Sequence, residues 1–218
     1  MVTHTEENYL KALFTLANEA SEVNISDLGI LLEVSTPTVN SMVKKLHAKD
    51  LVVYEKYRPL VLTAKGRKEA ALIIRKHRLT EMYLVEKMGF GWEEVHEIAE
   101  QVEHITSWAF FDKMDDLMGH PTVDPHGSPI PDKNGQVDRK PLLKLSTCQA
   151  GEQVRLEALA NSSTEFLKYL NSKQLSLGVN LEIVSVEAFD GSMVVKYLGH
   201  TAQSLSQTVC EKLQVQKL

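Results

Sequence analysis

Two cysteines in 218 residues, Cys148 and Cys210, stand far apart and without Cys-x-x-Cys spacing. That scarcity excludes a disulfide framework and a zinc knuckle, and leaves both thiols as packing residues. No apolar run approaches the roughly 18–20 residues needed to span a bilayer. The opening MVTHTEENYL lacks the basic-then-apolar order of a secretory signal, so the cytoplasm is the expected compartment. Several enzyme signatures are missing as well. There is no His-Glu-x-x-His, no Gly-x-Ser-x-Gly, no Walker A loop and no Gly-x-Gly-x-x-Gly, which removes the usual marks of zinc proteolysis, acyl transfer and nucleotide binding. Net positive charge is lacking too: at −5 the chain as a whole does not attract polyanions.

The charge is unevenly spread, however. From Pro37 to Thr80 eleven Lys or Arg face three acids, a net +8, whereas from Glu81 to Asp138 thirteen acids face three lysines, a net −10. One block suits a polyanion and its neighbour suits cations. With 43% hydrophobic residues the chain can fill one large core or two to three small ones.

Periodicity supplies the elements. Leu10, Leu13, Phe14 and Ala17 stripe a first amphipathic helix over Thr5–Ala17. Ser26 can cap a short second helix running to about Glu33. Thr36 is suited to cap a third, with Pro37 at its first position and Val39, Met42, Val43 and Leu46 on one face. Two short helices joined by a tight turn read as a helix-turn-helix, and LVVYEKY and PLVLT, parted by Arg58 and Pro59, read as a following β-hairpin. Together they predict a winged helix. Helices are expected from Ala64 to about Met88, from Glu93 to about Thr106, and from Trp108 to Met118. Residues 119–136, dense in Pro, Gly and Asp, read as a linker or extended arm. VRLEAL, LEIVSVEAF and GSMVVKYLG, with an Asp190-Gly191 turn and one helical segment near Thr164–Leu170, predict a small β-rich domain, barrel-like in composition. The fold class is mainly α with small β elements, in three domains: 1–63, 64–140 with the linker 119–141 at its end, and 142–218.

At the recognition position the third helix opens with Ser35, Thr36, Pro37, Thr38, Asn40 and Ser41, whose small hydroxyls and amide can reach phosphates and base edges. Lys44, Lys45, Lys56 and Arg58 are candidate phosphate contacts.

The stretch HEIAEQVEH carries the chemistry. As a helix it puts His96, Glu100, Glu103 and His104 at i, i+4, i+7 and i+8, within about 100° of arc. His77 and Glu81 repeat the i, i+4 pairing upstream. If the two helices fold back on each other, the six side chains can converge, enough for two ions. Imidazole and carboxylate suit a borderline-to-hard divalent ion, and clustered carboxylates repel until a cation offsets them. A solvated polar face is the alternative. So is a di-metal enzyme, but a carboxylate-bridged oxidase wants Glu-x-x-His, and Gln101 stands three before His104.

The order winged helix, RKHRLTE, HEIAEQVEH, HPTVDPHGSPIP and β-rich tail resembles the diphtheria toxin repressor family of metal-dependent transcriptional repressors. YEKYRPLVLTAKG in the wing resembles its manganese transport regulator branch. The resemblance implies a winged-helix DNA-binding domain, a helical dimerisation domain and an SH3-like β-barrel. It also implies a homodimer, activated by Mn(II) or Fe(II) with two ions per subunit, that binds operator DNA and represses metal-uptake genes. By the resemblance His77, Glu81 and His96 form an ancillary metal site, and Glu100, Glu103 and His104 a primary one together with Asn8. The manganese branch has carboxylates at the positions of Asn8 and Lys11; a protonated lysine has no lone pair to ligate. Glu100 stands where iron-type members have cysteine, a harder ligand that favours manganese. Two other readings stay open: a winged-helix regulator whose metal is purely structural, and a scaffolding dimer.

Overall fold

The computed structural model describes residues 2–19, 22–138, 140–160, 162–199 and 202–218. It divides into two compact units: Met1–Thr80, Ala99–Thr122 and Ile130–Asp138 in the first; Glu81–Ile98, Val123–Pro129 and Arg139–Leu218 in the second.

In the first unit α1 (His4–Glu19) opens on a reciprocal cap. Thr3 Oγ1 accepts from the Glu6 amide at 3.3 Å, and the Glu6 carboxylate accepts from the Thr3 amide at 2.8 Å. Lys49 donates to the same carboxylate at 2.7 Å. Burial pushes the Glu6 carboxyl up, but the bonds from Lys49 and Thr3 outweigh it and hold the group below its usual range. Replacing Glu6 by Ala is expected to cost about 0.5–2 kcal/mol, read as a lower urea midpoint at unchanged slope.

Helices α2 (Ile25–Leu31) and α3 (Thr36–Ala48) follow, capped two residues and one residue earlier than expected. Asn24, not Ser26, caps α2, because Asp27 in the first turn accepts the Asn24 amide at 3.1 Å. Ser35, not Thr36, caps α3, its hydroxyl 2.9 Å from that of Thr38. Strands β1 (Val52–Val53) and β2 (Val61–Leu62) pair antiparallel as the wing. Leu10, Leu13 and Phe14 of α1 close on Leu28, Val39, Val43, Leu46 and Leu62, so the expected apolar stripes form the core.

Helix α4 (Ala64–Met88) is joined to this core through Ala70, Ala71, Ile73 and Ile74. Its first turn lies so close to Leu51 that a Cβ at Gly66 would stand 1.8 Å from that residue's carbonyl oxygen, so only glycine fits. α6 (Trp108–Leu117) is tied to α4 by a buried pair, Arg75 to Asp115 at 2.7 Å, and the same guanidinium donates to Pro131 O at 2.8 Å.

The second unit holds β3 (Leu143–Lys144), β4 (Gln153–Leu159), α7 (Thr164–Ser172), β5 (Asn180–Val186), β6 (Met193–Lys196), β7 (Gln203–Leu205), α8 (Gln207–Cys210) and β8 (Leu213–Lys217). The strands form one antiparallel six-stranded sheet in the order β3-β8-β4-β5-β6-β7. Alternation along β4 buries Val154 and Leu156 and exposes Gln153 and Arg155. Cys148 and Cys210 lie in this core as packing residues, and burial pushes the Cys210 thiol up to about 11. No helix among the described residues is long and apolar enough to cross a membrane.

Candidate metal centres

Helix α5 (His96–Val102) is shorter than the expected span from Glu93 to about Thr106. The chain before it closes a separate turn, where the Glu94 carboxylate accepts the Gly91 amide at 2.8 Å. Glu103 and His104 stand in the turn just past the helix. That turn is anchored from α4: buried Lys76 donates to Glu103 O at 3.2 Å and Ile105 O at 3.0 Å. Its ammonium also lies 5.0 Å from the Trp108 ring and 5.4 Å from that of Phe111. Burial lowers the Lys76 pKa, partly offset by the charges of Glu7 and Glu103.

In the first unit Glu103, fully buried, lies with Glu100 and with His77 of the expected ancillary set, while His104 pairs elsewhere. Glu103 Oε2 lies 2.5 Å from His77 Nδ1. Burial would push its carboxyl up, yet the His77 hydrogen bond and the charges of Lys11 and His77 win and hold it below the ordinary range. Oxygens of Glu100 and Glu103 and a ring nitrogen of His77 all lie within 4.8 Å of one another. From α1 come residues on one face, at i, i+3, i+4 and i+7: His4, Glu7, Asn8 and Lys11. Lys11 Nζ donates to Glu103 Oε1 and Oε2 at 2.8 and 3.0 Å and to the Glu100 carboxylate. His104 Nδ1 meets Glu7 Oε2 at 2.6 Å, and its ring stacks on His4 with centroids 4.4 Å apart. Asn8 Oδ1 is buried without a hydrogen-bond partner.

The donors fit a divalent cation. Two carboxylates and an imidazole converge at the end of α5, and the orphaned Asn8 oxygen is the kind of acceptor a cation satisfies. Glu7 and His4 were missed in the sequence. Their signal was there: a polar stripe beside the apolar stripe of Leu10, Leu13 and Phe14.

Of the expected ancillary residues, His77 lies in the first unit, and Glu81 and His96 in the second. Glu81 is buried, its Oε1 3.3 Å from His96 Nδ1, while the His96 side chain is 58% exposed. Two unforeseen residues join Glu81: Asp124 and His126, all three buried with ligand atoms within 4.8 Å. The segment read as an arm contains no helix or strand but is tightly bonded. Asp124 Oδ1 accepts the His126 and Ser128 amides at 2.8 and 2.9 Å. His126 Nε2 donates to Trp92 O at 2.9 Å, and its Nδ1 lies 3.9 Å from Glu81 Oε2. Gly127 takes φ +86, and a Cβ there would stand 2.2 Å from Glu157 O; glycine lets this loop lie on β4. The Leu159 amide then donates to His126 O at 2.9 Å.

On α3 and the wing, Ser35, Thr36, Pro37, Thr38, Ser41, Lys44, Lys45, Lys56 and Arg58 are all exposed. Asn40 is half-buried, its Nδ2 donating to Thr36 O at 3.2 Å and its Oδ1 accepting from the Tyr54 hydroxyl at 3.3 Å. That second bond links the recognition position to the wing.

Known protein families match three consecutive segments of the chain. Residues 1–60 match the family described as iron dependent repressor, N-terminal DNA binding domain; residues 63–132 match its metal binding and dimerisation domain; residues 143–217 match the FeoA domain. The iron-dependent repressor IdeR of Mycobacterium leprae is 27% identical over 98% of this chain and 97% of its own length. The regulator MntR of Bacillus subtilis is 35% identical over 54% of this chain and 82% of its own. A solved manganese-dependent transcriptional repressor in complex with manganese is 30% identical, superposes with a TM-score of 0.88, and covers 98% of this chain and 100% of its own. With that match in fold and in all three segments, the chain belongs to the diphtheria toxin repressor family of metal-dependent transcriptional repressors, regulators and not enzymes.

Proposed function

We propose that this chain is a cytoplasmic, homodimeric repressor that Mn(II), or Fe(II), activates to bind operator DNA upstream of metal-uptake genes. In this reading 1–63 binds DNA, 64–140 binds metal and dimerises, and 142–218 is the SH3-like domain. One observation carries it: side chains of α1, which packs in the winged helix, meet the acidic turn at the end of α5. An ion held by these residues would supply the positive charge that the two carboxylates need. Glu100, Glu103 and His104 would hold it with Asn8, whose orphaned oxygen faces no other donor. Glu81 and His96 support a second ion, and Asp124 and His126 offer Glu81 further donors.

The mechanism is a coupling between two binding events. Residues of α1 fixed to the α5 turn hold the recognition helix in one orientation. In a two-fold dimer both α3 helices must then present to successive major grooves, about 34 Å apart. Ser35, Thr36, Pro37, Thr38, Asn40 and Ser41 would meet the groove, while Lys44, Lys45, Lys56 and Arg58 neutralise phosphates. The acidic, hydrogen-bonded donors favour manganese over softer-site metals.

The test is an operator-shift titration with Mn(II), Fe(II) and Zn(II) in parallel, with bound metal counted per subunit. Affinity is expected to rise about 5–150-fold with the activating ion. Equal affinity in chelator and in every metal would defeat the reading. A structural-metal regulator would instead melt on chelation with no separate effect on DNA.

A further inference from the structure

Lys11 stands where a regulator of this kind needs its cation. The ammonium is bonded to both carboxylates that the first ion would use, and its side chain is only 18% exposed. Glu103 has no exposed surface at all, so its charge has to be answered by protein or by ion. At present Lys11 and His77 answer it.

Resting on the reading above, we propose that Lys11 is a tethered competitor for the first ion, and that it docks α1 on the α5 turn in the ion's absence. Both halves follow from the same contacts. An ion held by Glu103 would have to share its carboxylate with an ammonium that already lies 2.8 and 3.0 Å from the two oxygens, and two like charges so placed repel. Lys11 must therefore leave for the ion to enter. Its four-carbon stem lets it do so without moving the helix. Until then it spans the same two elements that the ion would span. The side chain thus sets a threshold: ion affinity is reduced, and the metal-free protein keeps part of the docked pose. Asn8, on the same face of α1, is the companion feature: its buried oxygen has no hydrogen-bond partner.

The experiment uses the full-length dimer and Lys11→Met, which keeps the apolar stem and removes the charge. Mn(II) affinity is measured by competition with a fluorescent chelator, and operator affinity is measured in EDTA and in saturating Mn(II). The variant is expected to bind its first ion at least about tenfold more tightly than wild type. In EDTA it is expected to bind operator more weakly than wild type, so that its metal stimulation is larger. Lys11→Gln, which retains a hydrogen-bond donor, should shift the same way and serves if the methionine variant does not fold. Chelator-competition isotherms that overlay wild type, with metal-stimulated DNA binding intact, overturn the role of Lys11 alone. Absence of Mn(II) binding in wild type and variant alike overturns the metal-switch reading and this inference with it.

Discussion

Raising salt from about 50 to 200 mM is expected to weaken operator binding by the ion-loaded dimer roughly a thousandfold to a hundred-thousandfold. Lys44, Lys45, Lys56 and Arg58 are exposed on α3 and the wing, within the segment of net +8. If both protomers engage all four, about eight phosphates lose their counterions, and log affinity falls against log salt with a slope near −7. The double variant Lys44→Gln, Lys45→Gln removes half of these contacts and should bring the slope to about −4. Fluorescence anisotropy on a labelled duplex reads both slopes. A flat wild-type response, or a slope the double variant leaves untouched, takes this face out of the DNA interface.

Glu103→Gln is expected to erase the metal stimulation altogether, a loss of about 5–150-fold in operator affinity at saturating Mn(II). The substitution keeps size and one acceptor but removes the charge that Lys11 and His77 contact. Sedimentation and thermal melts should still show a folded dimer, because Lys76 grips the backbone of residue 103 and not its side chain. An Mn(II)-dependent isotherm that superimposes on wild type would remove Glu103 from the ion site. Reciprocity adds a second readout: operator DNA should tighten Mn(II) binding in wild type by the same factor and leave the variant unmoved.

Much of this was readable from residue spacing, and the exceptions have physical reasons. The winged helix appears because its stripes at Leu10, Leu13, Val39, Val43 and Leu46 are strictly periodic and all are buried. Helix boundaries moved where a local side chain intervened, Asp27 at α2 and Glu94 ahead of α5. The candidate ligands His77, Glu81, His96 and Glu100 were legible because they recur at helical intervals. Glu103 and His104 kept their place near α1 although the helix had already ended, because tertiary bonds from Lys76 shape that turn. Asp124 and His126 escaped because a Pro- and Gly-rich segment has no period to read. Their positions depend on an Asx turn, on the Trp92 carbonyl and on Gly127 beside β4. The composition of 119–136 indicates irregular backbone but not how firmly it is held.

Lys76 gives the switch an asymmetry. Its grip on the carbonyls of residues 103 and 105, backed by two aromatic rings, needs no dissolved ion. One jaw of the vice is therefore bolted down by the protein's own amine. Ion-dependent movement is therefore expected at the opposite jaw, α1, which is attached at this point through side-chain tips. Signals of ion supply should register as shifts in amide exchange along α1, with the 103–105 turn silent throughout.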